Sequence, residues 1–263
     1  MSLARPWGEL HYLDEGDGPL VVLLHPLAES GEIWRRLIDE LTPRYRVVAP
    51  DARGHGASTW DGTPFSIIDL ADDVAALIGH LGAQPAHVAA MSMGGCTAIA
   101  LAVRHPDRVA SLALADTTAD YGPDKAAAWA ERADKAVAVP RRKQLTFQVD
   151  RWFSAAFVAE DPAEVDRVSE LFVATDSEAH AAACRAMGAF DDSQRLNGIT
   201  APTLVLVGEE DYATPLAMSE ALQSGIRGST LQVLPGTRHL SLVESASARK
   251  LVHEHFNAHS TLA

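Results

Sequence analysis

The stretch His87-Val88-Ala89-Ala90-Met91-Ser92-Met93-Gly94-Gly95 decides how this chain is read. Up to Met91 it is apolar and suits a buried strand, and from Cys96 to Arg104 it is alanine-rich and suits a helix. Ser92 therefore sits on a strand-to-helix turn. Ala90 and Gly94, two positions away on either side, are the small residues that so tight a turn requires. Such a turn lifts the hydroxyl clear of the sheet and aims the first helical N–H groups at whatever the oxygen attacks. An alanine- and glycine-rich buried helix carrying an incidental serine reads the same locally, so partners elsewhere must decide.

Two later segments supply them. Pro202 to Gly208 reads as a buried parallel strand running into the polar loop Glu209-Glu210-Asp211-Tyr212-Ala213-Thr214-Pro215. Leu231 to Pro235 reads as another strand, followed by the loop Gly236-Thr237-Arg238-His239-Leu240. Both loops open at the carboxyl ends of their strands, where α/β sheets gather functional groups. A serine hydroxyl becomes a nucleophile when a base takes its proton. His239 is that base by position, and Asp211 is the carboxylate that holds its tautomer. Glu209, Glu210 and Asp116, the last at the end of the strand-like Ser111 to Ala115, compete with Asp211 for this role. His25 and His55 fall in loops of the same face and read as structural hydrogen-bonders, while His253, His255 and His259 are expected to be solvated on the final helix.

Around these segments strands alternate with helices. A hairpin from Leu3 to Leu13 turns at Pro6-Trp7-Gly8 and leads into the strand Leu20 to Leu24. A helix from Ile33 to Leu41 and the strand Arg46 to Ala49 follow, then a helix over Ile67 to Leu81 with apolar spacing at Ile68, Ala71, Val74, Ala75 and Ile78. The alternation predicts a mostly parallel sheet covered on both faces. It stops between Thr117 and Asn197, where an alanine-rich helical segment broken at Pro140 and Pro162 carries Trp129, Trp152, Phe153 and Phe157.

Composition narrows the function. The 263 residues carry a formal charge of −13, which argues against nucleic acid or an anionic membrane as partner. Met1 to Trp7 has no apolar core of a secretory signal. Cys96 and Cys184 form no metal-ligand or disulfide pattern and read as small buried hydrophobes. A cytoplasmic enzyme without metal or cofactor, acting on a small molecule, is the expectation.

The chain resembles the α/β-hydrolase superfamily over essentially its full length, through the order Ser92, Asp211, His239 and the Gly-x-x-Asp spacing from Gly208 to Asp211. Within it, the chain is most similar to 3-oxoadipate enol-lactonases. The segments that carry this likeness are Asp51-Ala52-Arg53-Gly54-His55-Gly56-Ala57-Ser58, Met91 to Gly95, Arg151 to Phe157 and Ala174-Thr175-Asp176. The resemblance implies a core at 1–116 and 198–263, with a helical cap at 117–197 inserted after the sixth strand. It implies hydrolysis of a small ester or lactone through an acyl-enzyme on Ser92, with Leu27 and Met93 donating the oxyanion-hole N–H groups. Enol-lactonases commonly have Asn-Ser-Leu-Gly where this chain has His25-Pro26-Leu27-Ala28. An anionic substrate would need cations, and Arg132 and Arg151, close in sequence to the expected pocket residues Trp129 and Trp152, are the candidates. A broad carboxylesterase or a cofactor-free perhydrolase of haloperoxidase type fits the same motifs. A non-catalytic receptor on this fold is the alternative from another class.

Overall fold

The apolar strands assemble into one eight-stranded sheet in the structure of the protein, a computed structural model that describes residues 1–82 and 85–260. In chain order, β1 (Ser2–Arg5), β2 (Gly8–Glu15) and β3 (Leu20–Leu24) precede α1 (Arg35–Leu41), β4 (Arg46–Pro50) and α2 (Ile67–His80). Then come β5 (Ala86–Met91), α3 (Met93–Arg104) and β6 (Val109–Ala115). Five helices follow without a strand: α4 (Lys125–Ala138), α5 (Arg141–Trp152), α6 (Ala155–Glu160), α7 (Pro162–Ala174) and α8 (Ser177–Ala189). The chain closes with β7 (Thr203–Gly208), α9 (Leu216–Gly225), β8 (Thr230–Leu234), α10 (Ser241–Glu244) and α11 (Ala246–His259).

The strand order is β1-β2-β4-β3-β5-β6-β7-β8, with β2 antiparallel to both its neighbours β1 and β4 and the remaining pairs parallel. Every residue of β3, β5 and β7 is buried, as strands covered on both faces must be. Helices α2 and α3 pack together on one face, and α1, α10 and α11 associate on the other. From β3 the chain moves outward to β4 and then returns to β5 on the opposite side. The crevice between the carboxyl ends of β3 and β5 is therefore the switch point at which such sheets bind ligands.

Among the described residues three non-glycine positions have positive φ: Ala28 at 62°, Ser92 at 55° and Asp116 at 50°. They follow β3, β5 and β6, adjacent strands at the middle of the sheet, so this edge gathers the strained non-glycine backbone of the described residues. Of the expected helical positions in α2, Ile68 differs. It is 39% exposed, whereas Ala71, Val74, Ala75 and Ile78 are buried as expected, and Ile67 and Leu70 take the buried positions of the first turn. His255 also differs: it is half-buried against Phe256, and burial with the neighbouring His259 pulls its pKa down to about 4.

In the helical segment, Pro140 caps α5 and Pro162 opens α7, as a residue without an N–H does at a helix start. Helices α4 and α8 form its tightest pair. A Cβ on Gly188 would lie 2.8 Å from that of Trp129, so a larger residue there would push the two helices apart.

Candidate active site

Local sequence builds the turn at Ser92. Its N–H donates to Ala115 O at 3.1 Å, and its carbonyl accepts from Thr117 Oγ1 at 2.7 Å and from Cys96 N at 3.1 Å. These bonds hold Ser92 in its strained conformation. Gly94 allows α3 to start directly against β3: a Cβ there would meet Leu24 O at 2.1 Å. Gly95 lies equally close to Thr117, whose Oγ1 would be 2.4 Å from an added Cβ.

Buried His239, from the loop after β8, reaches Ser92 with Nε2 3.0 Å from Oγ, and its Nδ1 is 2.9 Å from Asp211 Oδ2. Asp211 Oδ1 accepts from Ala213 N at 2.7 Å and Thr214 N at 3.0 Å, and Oδ2 accepts from Thr214 Oγ1 at 2.6 Å. A carboxylate surrounded by donors is an acceptor, so the imidazole proton belongs on Nδ1. That leaves the lone pair of Nε2 facing the serine hydroxyl. Burial alone would raise the Asp211 carboxyl, but His239 and the hydrogen bonds from His239 and Thr214 bring it below the usual range.

The rivals of Asp211 have other work. Glu209 accepts from Gly236 N at 3.0 Å, and Glu210 pairs with Arg238 at 3.3 Å. Asp116 is fully buried, and its two oxygens accept from Gly208 N and Ser241 N, each at 3.0 Å. Burial and the charge of Asp211 push its carboxyl well above the usual range. His25 is structural, as expected: Nδ1 donates to Pro26 O at 2.7 Å, and Nε2 accepts from Ala52 N at 2.9 Å, tying the loop after β3 to the loop after β4.

Pro26 O also accepts from Glu29 N at 3.3 Å, closing a turn with Leu27 and Ala28 at its centre. Leu27 faces the same small cavity as Ser92 and His239, a space of about 10 Å³ bounded on the helical side by Trp129, Arg132, Arg151 and Trp152. Met93 is the first residue of α3, where a backbone N–H has no partner within the helix. All four residues expected from the helical segment thus come together at Ser92. Sequence reasoning missed Tyr121, which also lines the cavity and meets Trp129 edge-on at 5.0 Å between centroids. It lies in an irregular stretch with no periodicity to mark it. Thr214 was likewise missed, although its place three residues after Asp211 in a polar loop was a usable signal.

Arg132 stacks over Trp129, 5.0 Å from the ring centroid. Arg151 lies beside Asp150, but that carboxylate is bonded to Arg238 at 2.9 Å. Among the described residues neither Arg132 nor Arg151 has a carboxylate within 4.0 Å. Burial lowers the pKa of both guanidiniums, and for Arg151 the neighbouring Arg132 adds to it. An anion placed between them would relieve both effects.

A profile of the alpha/beta hydrolase fold matches residues 19–246. The chain belongs to this family. It is 33% identical over 238 residues to 3-oxoadipate enol-lactonase 2 of Acinetobacter baylyi, covering 89% of this chain and 86% of that protein. The enol-lactonase of Burkholderia xenovorans LB400 superposes with a TM-score of 0.92 at 32% identity, covering 98% of this chain and 100% of that one. A thermophilic esterase from Thermogutta terrifontis, solved with malate bound, gives 0.90 at 28% identity over 99% of each chain. No described helix is long and apolar enough to cross a membrane.

Proposed function

We propose that this α/β-hydrolase opens a small carboxylate-bearing ester or lactone, in the manner of a 3-oxoadipate enol-lactonase, through an acyl-enzyme on Ser92. The observation that carries the reading is the hydrogen-bonded line Asp211–His239–Ser92, ending in a cavity that Arg132 and Arg151 also face. Ser92 Oγ attacks the carbonyl carbon while His239 Nε2 takes its proton. The N–H groups of Leu27 and Met93 hold the developing oxyanion. As the C–O bond breaks, His239 returns the proton to the leaving oxygen, which in a lactone stays tethered to the acyl group. Water then attacks the acyl-enzyme with His239 again as base and releases the acid. Residues 117–197 act as a cap that excludes bulk water, with Trp129 and Trp152 shaping the space and Arg132 and Arg151 binding the substrate carboxylate.

The test follows enol-lactone loss by ultraviolet absorbance beside a short-chain p-nitrophenyl ester, for the wild type and Ser92→Ala. Lactone opening that Ser92→Ala abolishes is the expected result. Ester turnover without lactone opening would transfer the reading to a broad carboxylesterase, for which His25-Pro26 in the oxyanion loop is the favouring feature. Absence of both activities would overturn it.

A further inference from the structure

The cavity at Ser92 is about 10 Å³, barely the room of one water and far short of an organic substrate. Arg132 and Arg151 are also walls of a second, much larger space. This chamber of about 380 Å³ is built from α4, α5 and α8 and lies within the size range of small-ligand sites. Its mouth is exposed at Ala128 and Phe147. The two guanidiniums thus stand between solvent-facing chamber and catalytic cavity.

The lining of the chamber is short of acceptors. His180 lines it and is buried, with Nδ1 accepting from the guanidinium of Arg141. Its proton therefore belongs on Nε2, which is closed off from the chamber and has no acceptor among the described residues. The acidic residue at the mouth, Glu131, is neutralised by Lys135 at 2.6 Å. Half-buried cations without a carboxylate partner are unfavourable, and one anion in the chamber satisfies Arg132 and Arg151 together.

We propose that this chamber is a carboxylate-binding vestibule, in which a small organic acid is held by Arg132 and Arg151 before and after it occupies the space at Ser92. The inference takes the destination of the acid from the hydrolase reading, but the affinity of the chamber is measurable without turnover. The anion is drawn to a local positive site on a protein whose formal charge is −13, so binding weakens as salt screens the guanidiniums.

The experiment is calorimetric titration of the Ser92→Ala protein with adipate and with its dimethyl ester at low ionic strength. Adipate binds and the uncharged diester does not. Ala128→Trp, which fills the chamber from its mouth, weakens adipate binding at least tenfold. Phe147→Glu, a change at an exposed position that the fold tolerates, weakens it at least threefold. Thermal melting without ligand establishes that each variant is folded. No binding of adipate to the parent, or equal affinity in the folded variants, would overturn the vestibule. Loss of hydrolysis in the wild type with adipate binding intact would overturn the hydrolase reading alone.

Discussion

Asp116 and Asp211 lie at the ends of adjacent strands and have different work, with carboxyls shifted in opposite directions: burial and the charge of Asp211 raise that of Asp116, whereas His239 and hydrogen bonds lower that of Asp211. Asp211, held ionised by its donors, orients His239. Asp116 joins the end of β7, through Gly208 N, to the segment after His239, through Ser241 N. We expect Asp211→Asn to lower kcat on the order of 10⁴-fold, because an amide no longer fixes the productive imidazole tautomer. Asp116→Ala instead strands two buried N–H groups, and each unpaired group costs about 1–3 kcal/mol of stability. Urea denaturation beside steady-state kinetics separates the two: an Asp116→Ala midpoint equal to wild type would show that the strut is unimportant. In the sequence both aspartates end strands, and the family-like Gly-x-x-Asp spacing from Gly208 favours Asp211. What separates them is loop length: Asp211 lies three residues beyond β7 and reaches the histidine, whereas Asp116 follows β6 immediately and stays under the sheet edge.

At the scale of elements, the central strands were legible because a strand covered on both faces is apolar throughout. The turn at Ser92 was legible because steric crowding leaves small residues as its signature. The orientation of helices α4 to α8 was less so. Trp129 and Arg132, three apart on α4, share a face of that helix, and sequence spacing suggests it. That this face meets Ser92 depends on α4 packing closely on α8 at Gly188, a tertiary contact with no local signal. The placement has a kinetic consequence. Arg132→Met and Arg151→Met keep most of the side-chain volume and remove the charge. Each is expected to raise KM for an anionic lactone at least tenfold, consistent with about 1.5–3 kcal/mol for a hydrogen bond to a charged group. KM for a neutral p-nitrophenyl ester should change little. A parallel loss for both substrates would mean that the arginines support the cap and do not recognise charge.

Across the whole molecule, strain and ligand-binding capacity sit at the carboxyl edge of the sheet, and the opposite side carries an acid-sensitive group. His87 is the second residue of β5 and is buried between Ser111 Oγ at 2.8 Å and Ser260 Oγ at 3.0 Å, with Phe256 5.1 Å away between ring centroids. Burial, then the nearby His255 and His259, lowers its pKa to about 4 from an ordinary 6.5. Between these values the unfolded chain binds a proton that the folded protein refuses. The contribution of His87 is therefore intact above pH 6.5 and is lost as the pH falls towards 4, by up to about 1.4 kcal/mol per pH unit. Glu29 and Asp116, raised by burial, act in the opposite sense and favour the folded state as the pH falls, so the total acid profile is a difference. A single-site comparison isolates the histidine. His87→Gln keeps hydrogen-bonding capacity without a titrating group, so its melting temperature should fall less than that of wild type between pH 7.5 and 5.5. At about 2–4 °C per kcal/mol for a chain of this size, the gap is a few degrees and within reach of differential scanning calorimetry. Parallel acid profiles for the two proteins would mean that His87 is protonated as easily in the folded state as in the unfolded chain, and that the acid response arises elsewhere.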